Sequence, residues 1–393
     1  MRVHRSILKL SAAHFFIDAH ASMLGVFLPF LRESLNLTLT EAGILGGALV
    51  FSSSLMQPIY GYLADRLRHK VFAALGPAIS GVFICSLGIA PNFYSLLILV
   101  ILGGVGIASF HPQGAAVTRE LSGKRPGYEM SVFISGGMIG YGVGPLYITS
   151  VISLAGLQAS YWAAVPGVLV SVYLLLHGPK PSKEVEPVRQ THLREQILGH
   201  IKPLSVHYFL VVIRSLNQMV FVAFLPLYFT VQGLTAVEGA QHLSLFLLTG
   251  GVTGLWGGIL ADRFGGRIIC AISMIGYAPM ALTFLLTTGP LSTLMCALAG
   301  GFLLLANPVN VVMAQRLIPG AASTVAALMM GFAWGVSGFV IPLIGGFADL
   351  YGLHTVLVWF VALTSPGFIL AFWLPSHRAE ALPATSLQFS QGE

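Results

Sequence analysis

Long apolar segments recur along the whole chain and are joined by short polar turns. A helix needs roughly 20 apolar residues to cross about 30 Å of hydrocarbon. Twelve segments meet this requirement, at residues 8–31, 41–63, 71–90, 94–118, 128–152, 159–177, 204–230, 238–261, 268–288, 291–315, 322–346 and 353–374. Only 9% of the residues are charged, whereas soluble domains are about 25% charged. The sequence therefore predicts an all-α membrane protein of twelve transmembrane helices, with the lipid bilayer as its solvent.

The basic residues predict how these helices are oriented. An even number of spans puts both termini on one side, and that side holds all of the 20 Lys and Arg residues except Arg32 and Arg214. Basic residues mark the cytoplasmic side. We therefore expect both termini in the cytoplasm and the protein in the cytoplasmic (inner) membrane. The net charge of +6 is explained by topology, and no nucleic-acid partner is expected.

The chain contains two copies of one six-helix unit. When one half is shifted by 195 to 197 residues onto the other, "FLPF" at Phe27 meets "FLPL" at Phe224, and "LADR" at Leu63 meets "LADR" at Leu260. The predicted organisation is an N-terminal bundle at 1–177, a cytoplasmic linker at 178–203, a C-terminal bundle at 204–376 and a disordered tail at 377–393. Pseudo-symmetric halves of this kind hold a site between them near the bilayer midplane.

The duplicated turn carries a family resemblance. "GGILADRFGGR" at 257–267 and "YGYLADRLRHK" at 60–70 resemble the signature turn of the major facilitator superfamily. The resemblance implies the major facilitator fold and a latch on the cytoplasmic side; the alternative is a topological stop signal. The first copy has Arg68 where the family has a glycine, which implies a looser latch. The latch residues are Gly61, Asp65, Arg66, Gly258, Asp262 and Arg263.

A glycine-proline pattern lies in the fifth span. Gly140, Gly144 and Pro145 are similar to the pattern that marks exchangers and efflux members of that superfamily. Small residues spaced by four also let helices pack closely. An efflux signature and a plain helix-packing motif both remain open.

Two ionisable residues lie well inside predicted spans, Asp18 in the first and Arg214 in the seventh. An ionised side chain there costs about 2.5–3.5 kcal/mol on insertion scales, so a function is expected. Both lie near the midplane, and the repeat places Asp18 opposite Ser215, beside Arg214. Either the two residues form a buried ion pair, or Asp18 carries a proton while Arg214 binds an anionic group.

Other polar side chains surround these two. His14 precedes Asp18 by four residues and shares its helix face, and His111 adds a group that titrates near physiological pH. We predict that Asp18, His14 and His111 couple transport to protons. The predicted substrate-binding residues are Arg214, Gln113, Asn217, Gln218, Asn307 and Asn310. For Asn310 a packing role is the favoured interpretation.

Three stretches narrow the resemblance. "SAAHFFIDAHAS", "SSLMQPIYGYLADR" and "SFHPQGAAVTRELSG" together resemble the fosmidomycin-resistance group of efflux proteins. That resemblance implies secondary active, proton-coupled efflux, an antiport of a small anionic or amphiphilic drug, with Asp18, His111 and Arg214 in the site. Ile17 and Gln113 stand where the group has Asn and Glu. The loss of that Glu makes Asp18 the principal proton carrier and puts a phosphonate substrate in doubt.

Other function classes are weaker. His14, Asp18 and His111 are ligand types that suit a divalent cation, so a metal transporter is the alternative, although Arg214 would repel a cation. No metalloprotease helix, nucleotide-binding loop or nucleophile elbow is present in the sequence, so an enzyme is not expected. We expect no cofactor and no resident metal, and a monomer whose partners are protons, a small-molecule substrate and the lipid bilayer.

Overall fold

The computed structural model describes residues 4–60, 63, 71–122, 126–179, 198–317, 325 and 328–375. Most of these residues are helical, and no strand occurs among them. Eleven helices in the described part are long and apolar enough to cross a membrane, and a shorter apolar helix at Ala73–Ile89 corresponds to the third predicted span. The predicted all-α membrane fold is confirmed.

Six predicted spans form the N-terminal half. The third is extended by the 3₁₀ turn Ser86–Ile89, and the sixth begins with the 3₁₀ segment Leu157–Ala164. The helices are α1 (Arg5–Leu35), α2 (Leu39–Ser54), α3 (Val71–Cys85), α4 (Phe93–Leu121), α5 (Pro126–Ala155) and α6 (Val165–His177).

The C-terminal half repeats this order with more interruptions. The tenth span of the chain is interrupted at Ala306, directly before Asn307 and Pro308. Proline removes a helical N–H donor and crowds the preceding turn. The helices are α7 (Ile201–Val231), α8 (Ala236–Phe264), α9 (Gly266–Leu286), α10 (Gly289–Leu305), α11 (Asn307–Leu317), α12 (Ala333–Tyr351), α13 (Leu353–Thr364) and α14 (Phe368–Phe372).

Equivalent polar residues begin the second helix of each half. The Thr38 side chain accepts a hydrogen bond from the backbone of Glu41, and the Glu41 side chain accepts one from the backbone of Thr38. Thr235 and Glu238 form the same capping box at the start of α8. Each box satisfies backbone groups that a helix end leaves unpaired, so these two helices start where the sequence repeat indicates.

Helices α1 and α7 lie at the centre of the bundle. The most apolar windows of these helices are 72% and 89% buried, whereas no other span among the described residues exceeds 56%. The two helices approach closely at Gly25, where an added side chain would collide with the backbone carbonyl of Val222. The halves also meet where α2 packs on α12 and α5 packs on α8. We call the end of the bundle where α1 begins the proximal end, and the end where α1 finishes and α2 starts the distal end.

The glycine-proline segment of α5 packs against α1. A Cβ atom at Gly140 would collide with the carbonyl of Phe15, and one at Gly144 would collide with the carbonyl of Ala19. Both glycines are buried. The observed geometry therefore gives these residues a packing function within the N-terminal half. Whether they also mark an exporter stays a prediction.

Replacing Gly144 by leucine should destabilise the protein. Overpacking a close-packed interior costs about 1–3 kcal/mol, and we expect the thermal unfolding midpoint in detergent to fall by several degrees. The same change at Gly199, where no heavy atom lies within 4 Å of an added Cβ, is the control. An unchanged midpoint for Gly144→Leu would contradict the inferred packing.

Candidate functional site

Three titratable side chains meet between α1 and α4. His14 Nε2 lies 3.3 Å from one carboxyl oxygen of Asp18, and His111 Nε2 lies 3.1 Å from the other. The His14 side chain is only 8% exposed, whereas those of Asp18 and His111 are 20% and 25% exposed. The carboxyl group is thus held between two imidazoles, one inside the half and one more accessible. We refer to these three residues as the acid–histidine cluster.

The second nitrogen of each imidazole is held by a backbone carbonyl. His14 Nδ1 lies 2.9 Å from the carbonyl of Phe133 on α5, and His111 Nδ1 lies 2.9 Å from the carbonyl of Ile107. A carbonyl only accepts, so each Nδ1 must be the donor, and the Nε2 of a neutral ring then carries no hydrogen. Each contact with Asp18 therefore becomes a hydrogen bond only when a proton lies on that imidazole or on the carboxyl group.

Helix α5 shapes the wall of this cluster. The ring of Phe133 stacks on His14 with centroids 4.3 Å apart, and Gly137 lies one turn further along. A Cβ atom at Gly137 would collide with both Asp18 and His14. Gly137 could not be predicted from the sequence, because a glycine spacing does not show which side chain the glycine faces.

The polar group in the C-terminal half is a single guanidinium. Arg214 on α7 is 2% exposed, and its Nη1 donates to the side-chain carbonyl of Asn307. Its Nε has no hydrogen-bond partner, and among the described residues Arg214 forms no ion pair. Gln218, one turn along α7, is also buried and its side-chain carbonyl is unpartnered. A buried positive charge with only a neutral partner is costly, and an anion would complete this site.

Asp18 and Arg214 do not form the ion pair that the sequence left open. Each has its partner in its own half: His111 for Asp18, and Asn307 for Arg214. In both pairs the partner lies 93 residues further along the chain. The contact of Arg214 with Asn307 thus corresponds to the contact of Asp18 with His111, although Arg214 lies one position before Ser215, the residue that the repeat alignment places opposite Asp18.

Three of the predicted substrate-binding residues join neighbouring helices. The Gln113 side chain accepts from the backbone N–H of Ala73 at 2.6 Å. Asn310 is fully buried, and its side-chain carbonyl accepts from Cys270. These contacts favour structural functions for both residues, as the sequence indicated for Asn310.

Asn217 is also fully buried and bonded. Its side-chain carbonyl accepts from the hydroxyls of Tyr277 and Thr364, and its amide donates to the carbonyl of Ile213. The residues left to face a substrate are therefore Arg214, Gln218 and the half-buried Asn307.

The second copy of the duplicated turn lies entirely within the described residues. Asp262 and Arg263 are exposed, and no atom lies within 4 Å of an added Cβ at Gly258. The close approach is made instead by Gly257, where a Cβ would collide with the carbonyl of Leu305. Gly61, Asp65 and Arg66 lie outside the described residues. The latch function of both copies stays a prediction.

Comparison with known proteins identifies the family. The family model described as Major Facilitator Superfamily matches residues 10–342. The chain belongs to the major facilitator superfamily. It is an integral membrane protein and a transporter of small molecules by family, and the predicted family and fold are confirmed.

Several characterised and uncharacterised transporters are similar over nearly the full chain. The uncharacterized MFS-type transporter YfnC of Bacillus subtilis is 28% identical, and the matched region covers 96% of this chain and 94% of the relative's chain. The fosmidomycin resistance protein of Escherichia coli is 26% identical, over 94% and 92%. The quinolone resistance protein NorA of Staphylococcus aureus is 23% identical, over 90% and 92%.

Solved structures support the same fold. A bacterial homologue of the human lysosomal transporter Spinster, in an inward-facing and unoccupied conformation, has a TM-score of 0.77 at 14% identity, over 94% of this chain and 96% of that one. The nucleoside transporter NupG has a TM-score of 0.72 at 15% identity, over 94% and 98%. These relatives do not support the alternative of a divalent metal transporter, although the ligand atoms of His14, Asp18 and His111 lie within 4.8 Å of one another.

Gly137→Ala should displace the acid–histidine cluster. The added methyl group takes space that Asp18 and His14 now fill, and misplacing a catalytic group by about 1 Å can cost about a hundredfold in rate. We expect the transport rate in proteoliposomes to fall at least tenfold by this reasoning. Gly251→Ala is the matched control, because its new Cβ would lie an ordinary 3.8 Å from Met138. Equal losses in both variants would show that helix packing alone explains the effect.

Proposed function

We propose that this transporter exports a small anionic or amphiphilic organic compound in exchange for protons, by alternating access. The observation that carries the proposal is the placement of unlike groups at equivalent positions of the two halves. One half presents Asp18 between two imidazoles, and the other presents Arg214 beside a neutral amide. The efflux-type relatives, named for fosmidomycin and quinolone resistance, support the direction of transport. Both termini lie in the cytoplasm in this proposal, and the membrane is the inner one.

The proton side of the exchange is the acid–histidine cluster. With both Nδ1 atoms donating to carbonyls, one added proton can complete only one of the two contacts to Asp18. A second proton completes the other. The net charge of the cluster therefore changes from −1 to 0 with the first proton and to +1 with the second. In this proposal protons reach the cluster through His111, the more exposed of the two histidines.

The substrate side is the guanidinium of Arg214. Its planar fork can bind a carboxylate or phosphonate through two parallel hydrogen bonds. The unpartnered Nε and the adjacent Nη2 form the side of the guanidinium that can do this, while Nη1 keeps its hydrogen bond to the Asn307 amide. The side chain of Gln218 has an amide that can donate to the same anion.

Exchange requires that substrate and protons compete. An anion at Arg214 by itself attracts protons to Asp18, which would favour joint transport in one direction. Competition therefore depends on the body of the substrate, which must fill the space between the halves and exclude the water that delivers protons to the cluster. A small inorganic anion cannot do this, and so the proposed substrate is an organic compound with an apolar part.

Asp18→Asn should abolish transport driven by a pH gradient. The amide cannot exchange a proton, so the flux of fosmidomycin or a quinolone into everted vesicles with an acidic interior should fall to background. Glu33→Gln, which changes an exposed carboxylate outside the cluster and outside the duplicated turn, is the control and should keep its flux.

The sign of coupling is tested by proton release in weakly buffered detergent. Binding of a transported compound to the wild type should release protons, and binding to Asp18→Asn should release none. Proton uptake on binding would contradict exchange and indicate joint transport, and undiminished gradient-driven flux in Asp18→Asn would remove this residue from the mechanism.

Arg214→Gln should weaken anion binding selectively. Losing a hydrogen bond to a charged group costs about 1.5–3 kcal/mol, which corresponds to roughly a 10- to 150-fold weaker Kd. A thermal-shift screen of organic anions, beginning with fosmidomycin, measures the loss, while neutral amphiphiles should be little affected. Arg316→Gln removes an exposed guanidinium outside the duplicated turn and is the control. Retention of the anionic ligands by Arg214→Gln would exclude Arg214 as their binding site.

A further inference from the structure

A carboxylate of the C-terminal half caps a helix of the N-terminal half. Asp349 lies near the end of α12, and its two oxygens accept from the backbone N–H groups of Leu39 and Thr40, each at 2.8 Å. One oxygen also accepts from the Thr40 hydroxyl at 2.5 Å. Leu39 and Thr40 form the first turn of α2. Three hydrogen bonds thus join the two halves at the distal end. We call this contact the distal clamp.

The location of Asp349 is explained by α2 rather than by its own helix. A negative charge near a helix C-terminus is unfavourable to the dipole of that helix, whereas at an N-terminus it is favourable. Asp349 stands at the end of α12 but at the start of α2. The box formed by Thr38 and Glu41 already satisfies the N–H of Glu41, and Asp349 satisfies the two N–H groups that remain beside it.

The other half has no such contact among the described residues. Thr235 and Glu238 form their own box at the start of α8, and no acidic residue from α5 accepts from the first turn of that helix in the described part of the chain. The distal clamp is therefore not a property of the repeated fold, and it acts on one of the two seams between the halves.

Small residues bring the clamped helices together over several turns. A side chain at Gly345 would collide with the carbonyl of Leu39, and one at Gly47 would collide with the carbonyl of Gly338. Arg32, at the distal end of α1, adds an attractive positive charge near Asp349. The clamp therefore closes a seam whose backbones are already in contact, and it must break if this end of the seam is to open.

We propose that the distal clamp stabilises the conformation in which the bundle is closed at its distal end. In this proposal Asp349 releases the start of α2 each time the site opens to the distal side. This inference rests on the alternating access of the proposed function, but not on its substrate or its proton coupling. The energy of the closed state is lowered by a charged cap that the open state lacks.

The test measures the distal opening directly. Spin labels are attached at Leu154→Cys and Leu286→Cys, two exposed positions at the distal ends of α5 and α9, after the three buried cysteines are replaced by alanine. Pulsed electron resonance gives the distance distribution without substrate or a pH gradient. Asp349→Asn should raise the ratio of the long to the short distance by about tenfold, the size expected for loss of a charge-assisted helix cap.

Two further variants make the result specific. Glu41→Gln weakens the capping box of α2 and leaves Asp349 in place, so its distances should match those of the wild type. Thr40→Val removes the hydroxyl donor alone and should give a smaller shift in the direction of Asp349→Asn; it carries the test if Asp349→Asn does not fold. Unchanged distances in both clamp variants, or an equal shift in Glu41→Gln, would overturn the proposal. Repeating the measurement with Asp18→Asn keeps this outcome separate from any failure of proton coupling.

Discussion

The interior of a bilayer offers no water, so each polar group in this bundle must find its partner within the protein. Most of them do. Asn217 fills its hydrogen-bonding positions with a tyrosine, a threonine and a backbone carbonyl, and Gln113 bonds the start of α3. The exceptions are informative because they are costly. The unpartnered atoms of Arg214 and Gln218 lie one turn apart on the most buried helix. A ligand bound there would supply the hydrogen bonds that these two side chains lack.

The two halves use the same connections for different chemistry. Asp18 and His111 are separated by 93 residues, as are Arg214 and Asn307. The structural bonds repeat in the same way: Ala73 to Gln113 and Cys270 to Asn310 both span 40 residues. The fourth span of each half is therefore bonded to the first and to the third span at corresponding places. The contact between first and fourth spans involves a carboxyl group in one half and a guanidinium in the other, so similar halves form an asymmetric site.

Sequence alone could predict the fold and the two charges, because both follow from transfer free energies that depend on residue type. Apolar runs of sufficient length must span the bilayer, and Asp18 and Arg214 are recognisable by the cost of placing them there. The sequence alone could not show which of the other polar residues face a ligand and which bond neighbouring helices. Whether Asn217 faces a cavity or Tyr277 depends on the rotation of α7 against α9, and Gly137 matters only because α5 crosses α1 at Asp18. No sequence pattern indicates the function of Asp349, because its partner is a backbone N–H group about 310 residues away along the chain.

Two carboxylates in this chain have complementary properties. Asp18 is enclosed by groups that can take up protons, so its charge can change while its neighbours stay in place. Asp349 is bound to backbone N–H groups that cannot titrate, so its charge persists and only its partner can change. The proposed alternating access needs both kinds of event, a change of charge near the midplane and an opening at the surface. Because α1 carries Asp18 and has Arg32 in its last turn, near Asp349, one continuous helix links the residue proposed to change charge to the contact proposed to open.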